Sequence, residues 1–133
     1  MIPELDDRGY LPPGLHRATL DEVDHRIGQQ SELRRVQIQS LRWMVEAAIR
    51  AGVRRIVING SFVTDVIEPN DADCLLLVGP DYPVDEAAEQ QLEEGFPFLE
   101  LQLVDERGLE YFVERFFATD RDGITKGMIE IVS

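Results

Sequence analysis

Apolar residues at Ile38, Leu41, Val45 and Ala48 recur at helical spacing. They predict a long helix through SELRRVQIQSLRWMVEAAIRAG, with Ser31 as its cap and Gly52 as its stop. From Trp43 to Ala51 this helix is apolar on more than one side. It is therefore expected to lie between a sheet and another element, with Trp43 and Met44 in the core. Upstream, Thr19 and Glu22 have capping-box spacing and predict a short helix closed by Gly28. The first eighteen residues carry Pro3, Pro12, Pro13, Gly9 and Gly14 and read as an extended N-terminal arm, 1–18.

Beyond Gly52 the pattern changes. Ile56, Val57 and Ile58 run together without alternation, as do Leu75, Leu76, Leu77 and Val78, which describes two strands covered on both faces. Pro69 and Asn70 supply turn chemistry in the polar stretch between them. VDEAAEQQLEEG reads as a solvated acidic helix. In FLELQLV, Leu99, Leu101 and Leu103 alternate with Glu100 and Gln102, giving a strand with one polar face. A helix from Leu109 to about Ala118 follows, anchored by Phe112, Phe116 and Phe117. Then come an Asp-Gly turn and an alternating strand from about Met128 to Ile131. The sum is a single α/β (α+β) domain, 1–133, around a mixed sheet of about four strands with flanking helices.

Composition narrows the partners. With 26 acidic and 13 basic residues the formal charge is −13, and Lys126 is the only lysine, so general binding to a nucleic-acid backbone is not expected. No apolar run approaches the roughly 20 residues of a membrane span. The N-terminus has neither the basic nor the apolar region of an export signal. The single cysteine, Cys74, has no disulfide partner, so a cytoplasmic location is expected and the thiol reads as a buried small hydrophobe. His16 and His25 lack ligand spacing for zinc.

The chemistry concentrates in one stretch. Gly60-Ser61 follows the first central strand directly, and Asp71-Ala72-Asp73 leads into the second. Asp71 and Asp73, two apart on a strand, project to one side, and a pair of close carboxylates calls for a shared cation. Mg²⁺ (or Mn²⁺) suits them, since it takes hard oxygen ligands and completes its shell with water and substrate phosphates. Gly60 lets a ligand approach the backbone, and Ser61 with nearby amides offers phosphate contacts. The plainer alternatives are an Asx turn at Asp71 and Asp73, and a strand end or turn cap at Ser61. Arg34, Arg35, Arg54 and Arg55 form the local basic clusters, with solvation as their default and phosphate contact as the alternative.

At these residues the chain resembles the DNA-polymerase-β-like nucleotidyltransferase superfamily, whose signature is a strand, Gly-Ser, a connection and Asp-x-Asp on the next strand. NGSFVTDVIEPNDADCLLLV is similar to it in order and spacing, over about residues 41–105. The likeness is nearest to the minimal nucleotidyltransferases, which include antitoxin-like proteins paired with toxins. LPPGLHRATLDEV, GSFVT, PNDADC and DRDG further resemble a small bacterial family of that type along the whole chain. The resemblance implies a two-metal transfer of NMP from an NTP to a protein or small-molecule hydroxyl, with Asp71 and Asp73 on the metal and Gly60 and Ser61 on the nucleotide. Glu100 would be the third carboxylate, acting in catalysis and on the metal, where the family more often has Asp; on an alternating strand it could equally face water. The loop Phe62 to Asp65 also departs from the Gly or basic residues common there. The alternative is a catalytically weak or inactive binding module, antitoxin-like or regulatory. Its partner would be a basic, toxin-like protein or a second copy of the chain.

Overall fold

The capping box forms as expected: the Glu22 amide donates to Thr19 Oγ1 (3.2 Å) and the Thr19 amide to Glu22 Oε1 (3.1 Å). In the computed structural model, which describes residues 2–116 and 127–133 with the side chains of 115 and 116 excepted, this cap joins β1 (Leu15–Thr19) to α1 (Leu20–Ile27). Ser31 caps α2 (Glu32–Ala51), and Gly52 ends it at φ 94°, a left-handed conformation that favours glycine. There follow β2 (Arg55–Asn59), a short 3₁₀ turn (Ser61–Val63), β3 (Ala72–Leu77), α3 (Glu86–Glu94), β4 (Leu99–Val104), α4 (Glu106–Tyr111) with a π turn (Phe112–Phe116), and β5 (Met128–Val132). The expected anchor Phe117, the helix end near Ala118 and the Asp-Gly turn lie outside the described residues, as does the Phe116 side chain.

The fold is mixed α/β, as expected, and among the described residues the mixed sheet has five strands, one more than the approximate four, in the order β1-β5-β2-β3-β4. β1 runs parallel to β5 and β3 parallel to β4, while β2 is antiparallel to both its neighbours. The fifth strand comes from the arm: Leu15 to Thr19 pair with Met128 to Val132, so the segment 1–18 is not extended coil throughout. The rest of the arm is pinned. Arg26 donates to the carbonyls of Ile2 (2.7 Å) and Pro3 (3.0 Å), and Ile2 and Leu11 are buried.

The continuous apolar runs of β2 and β3 follow from cover on both faces. Ile56, Ile58, Cys74 and Leu76 meet Leu41, Met44 and Ala48 of α2, with Ala88 and Leu92 of α3 in the same core. On the other face Val57, Leu75 and Leu77 pack with Val104, Leu109 and Met128. Two expected core residues stand outside. Trp43 is 52% exposed while its neighbour Met44 is fully buried, although α2 does pack against both the sheet and α3 as expected; on the edge strand β4, Leu103 is 44% exposed.

Glu130 reverses the simple reading of an alternating strand. β5 lies inside the sheet, so its polar position has no water to face, and the Glu130 side chain is only 7% exposed. Arg55 answers it with two bonds, Nε to Oε2 at 2.9 Å and Nη2 to Oε1 at 2.8 Å, and Arg17 approaches to 3.5 Å. The Arg55 hydrogen bonds, with the Arg55 and Arg17 charges, hold the Glu130 carboxyl below the usual carboxylate range despite its burial. A depressed native pKa means that the carboxylate stabilises the fold fully above pH about 4.5 and loses that contribution as pH falls through its native value. Glu130→Gln should cost about 2 kcal/mol at pH 7, since Arg55 keeps partial access to water. Urea titrations of parent and variant should converge as the pH is lowered into the acid range; a gap independent of pH would refute the charge assignment.

Candidate functional site

The site forms where β2 ends and β3 and β4 begin. Asn59 is the register partner of Asp73, and Asp73 of Glu100, so the three side chains stand in one row on one face of the sheet, the face of Val57 and Leu75. Neighbouring strands are about 4.8 Å apart, close enough for the Asp73 and Glu100 carboxylates to share one cation. Glu100 is exposed and Asp73 half-buried. Asn59 is buried, and its Oδ1 has no hydrogen-bond partner, leaving a hard oxygen acceptor in the same row. Asp71 is exposed and lies just before β3, which starts at Ala72, whose amide donates to the Phe98 carbonyl at 2.9 Å. Among the described residues, no three His, Cys, Asp or Glu side chains are gathered as a metal-holding group. Asp73, Glu100 and the unpartnered Asn59 Oδ1 are the hard oxygens of this row, a donor set of the kind a divalent cation takes, and Asp71 stands outside it before the strand.

Gly60 is part of this arrangement for a steric reason. It has φ 88° and ψ −167°, a region essentially reserved for glycine, and a methyl built on it would stand 2.5 Å from Asp73 Oδ2. The Asp73 carboxylate therefore lies directly over the Gly60 backbone. Ser61 is half-buried at the start of the 3₁₀ turn, and its carbonyl accepts from Thr64 Oγ1 at 2.6 Å. Phe62, Val63 and Thr64, which the sequence places on the ligand side of the loop, are all turned inward and buried. They are packing residues, and their identity does not shape a ligand surface.

Arg34 holds the loop, a role the sequence did not disclose. Its side chain is completely buried on α2, and its guanidinium donates to the carbonyls of Ile27 (3.0 Å), Phe62 (2.8 Å), Thr64 (2.7 Å) and Val66 (2.9 Å), with Ser61 at 3.5 Å. The guanidinium carbon also lies 5.3 Å from the centre of the Phe62 ring. Burial lowers the Arg34 pKa, opposed by the Asp65 charge, but arginine stays charged at any working pH. Arg34 is thus neither solvated nor free for phosphate. Arg54, by contrast, is exposed and pairs with Asp81 at 3.2 Å.

Cys74 follows Asp73 but points to the opposite face, into the core beside α2. Burial, then the neighbouring Asp73 charge, pushes its thiol pKa up, so it is inert as a nucleophile. No described helix is long and apolar enough to cross a membrane. No curated protein and no solved structure matches the chain. A family model does: that of a family of unknown function, DUF6932, matches residues 3–132. Since the match runs almost from end to end, the chain belongs to that family.

Proposed function

We propose that this protein is a Mg²⁺-dependent nucleotidyltransferase that moves NMP from an NTP to a hydroxyl of a protein or small molecule. The observation that carries the reading is the seating of the Asp73 carboxylate over the positive-φ Gly60, with Glu100 opposite it on the next strand. That is the spatial relation which a Gly-Ser and Asp-x-Asp signature requires. Asp73 and Glu100 would hold the cation, with Asp71 before the strand as a further carboxylate, and the bound cation would neutralise the phosphates and stabilise both attacking and leaving oxygens. Gly60 seats the Asp73 carboxylate, and Ser61 beside it, half-buried at the start of the 3₁₀ turn, would meet the triphosphate. The acceptor oxygen forms its bond to the α-phosphorus as the α–β bridge breaks and pyrophosphate leaves, and the exposed Glu100 carboxylate takes the hydroxyl proton.

At a nucleotide concentration of 100 times Kd, binding should stabilise the protein by about 2.7 kcal/mol and raise its melting temperature measurably. Thermal unfolding with ATP, GTP, CTP or UTP and Mg²⁺ should show such a rise for at least one of them, and Asp71→Asn/Asp73→Asn should abolish it while leaving the circular dichroism unchanged. No rise with any of the four, in Mg²⁺ or Mn²⁺, would refute the reading.

A second reading, a non-catalytic module that binds a basic protein or a second copy, is favoured by the edge of the sheet. Phe98 and Leu103 are each 44% exposed beside the unpaired side of β4, a surface suited to cover by another chain. In that case the same double Asp variant keeps its partner.

A further inference from the structure

Polar residues at the start of α2 hold the connection between β2 and β3 in series: the N-cap Ser31, which is half-buried, and the buried Arg34 and Gln37. Ser31 Oγ donates to the Ile67 carbonyl at 2.8 Å, Arg34 holds the carbonyls from Ser61 to Val66, and Gln37 Nε2 donates to those of Pro69 (3.3 Å) and Asn70. Positions 31, 34 and 37 lie on one helical stripe, so a single rigid helix grips the whole connection between Gly60 and Asp71 through its backbone. Such a grip acts through carbonyls rather than side chains, and residues 65–68 of the connection are exposed. Gln37 is the last of the three and holds the two residues immediately before Asp71. It is fully buried, and its Oε1 has no partner, so it contributes to the fold only through the donor end.

We propose that Gln37 is a positioning residue for the carboxylates: by fixing the Pro69 and Asn70 carbonyls it sets where Asp71 leaves the connection and how Asp73 enters β3, and hence the affinity of the site for a metal-bound triphosphate. The inference rests on the nucleotidyl-transfer reading but concerns residues on a different element from any that touch the ligand. Arg34 and Gln37 divide the work. The arginine shapes the Gly60–Ser61 side and the glutamine the Asp71–Asp73 side of one site.

Gln37→Met keeps length and volume but removes both donors, while Gln37→Lys returns a donor on a side chain of similar reach. Each would be compared with the parent by amide hydrogen exchange and by binding of Mn²⁺ with ATP, followed through the relaxation of water protons. In Gln37→Met, exchange at residues 70–73 should rise about tenfold or more while Val57 and Ile58 stay protected as in the parent, and Mn²⁺–ATP affinity should fall about tenfold. Gln37→Lys should recover most of that affinity. Unchanged affinity in Gln37→Met, a lysine variant no better than the methionine one, or a uniform rise in exchange through the sheet would each overturn the proposal. A parent that binds Mn²⁺ with none of ATP, GTP, CTP and UTP would instead refute the functional reading and the proposal with it. The two failures are therefore distinct.

Discussion

Arg34→Met should lower stability by about 4 kcal/mol and the melting temperature by roughly 15 °C, the largest effect expected of any single substitution in this chain. The methionine fills much of the volume, so the loss is not a cavity. It is the exposure of carbonyls that no other donor reaches: Phe62, Thr64 and Val66 each accept from the one guanidinium, and the first two lie among buried residues. An unmade bond in such a place costs more than a formed bond contributes, because the oxygen gave up water to be there. Arg34→Lys should rescue little. One ammonium has three donors on a single atom, and these carbonyls are spread around a planar fork. Chemical denaturation of the two variants checks both statements, and a lysine variant within 1 kcal/mol of the parent would show that charge, rather than the fork, is what the loop needs.

Gly60→Ala should cost about 3 kcal/mol and should also abolish nucleotide binding. Two separable effects add up in it. The backbone at φ 88°, ψ −167° is strained for any side chain, which accounts for about 2 kcal/mol, and the new methyl meets Asp73 Oδ2 at 2.5 Å, which accounts for the rest. A double-mutant cycle with Asp73→Ala separates them. Without the carboxylate the methyl has room, so Gly60→Ala should cost about 1 kcal/mol less in that background, the backbone term remaining. Strict additivity in urea titrations would mean that the carboxylate moves aside freely, and then Gly60 would not seat it. Either way the measurement reads the contact on which the functional reading depends.

Local signals carried most of the fold. The capping box at Thr19 and Glu22, the Ser31 cap and the Gly52 stop each involve residues within a few positions of one another, and each is present in the structure. The two central strands were equally legible, because burial on both faces leaves an unbroken apolar run. What escaped depends on partners far along the chain. β1 was hidden by the prolines and glycines before it, and its partner lies more than a hundred residues later. The alternating pattern around Glu130 does not reveal its burial, because Arg55, 75 positions away, is what makes that burial tolerable. Arg34 and Gln37 did leave a trace: they continue the buried stripe of Ile38, Leu41 and Met44 toward the N-terminus at the same spacing, which marks them as inward-facing polar residues in a search of the helix. The site divides in the same way. Gly60 and Asp73 stood out by spacing and Glu100 through the family resemblance, whereas nothing local marks Asn59 and only the register places it in their row.

The position of β5 also governs how the molecule can assemble. It lies between β1 and β2, so the first strand in the sequence has no neighbour in the sheet until the last one arrives. Closing so long a loop comes late and is slow compared with forming α2 or the β2–β3 pair, which are made from nearby residues. A nascent chain would therefore present a helix and an incomplete sheet, with the edges of β1 and β2 both open, until its final strand inserts between them. Completion is then a single cooperative event, in which Glu130 enters the sheet together with the strand that carries it and finds Arg17 on one side and Arg55 on the other.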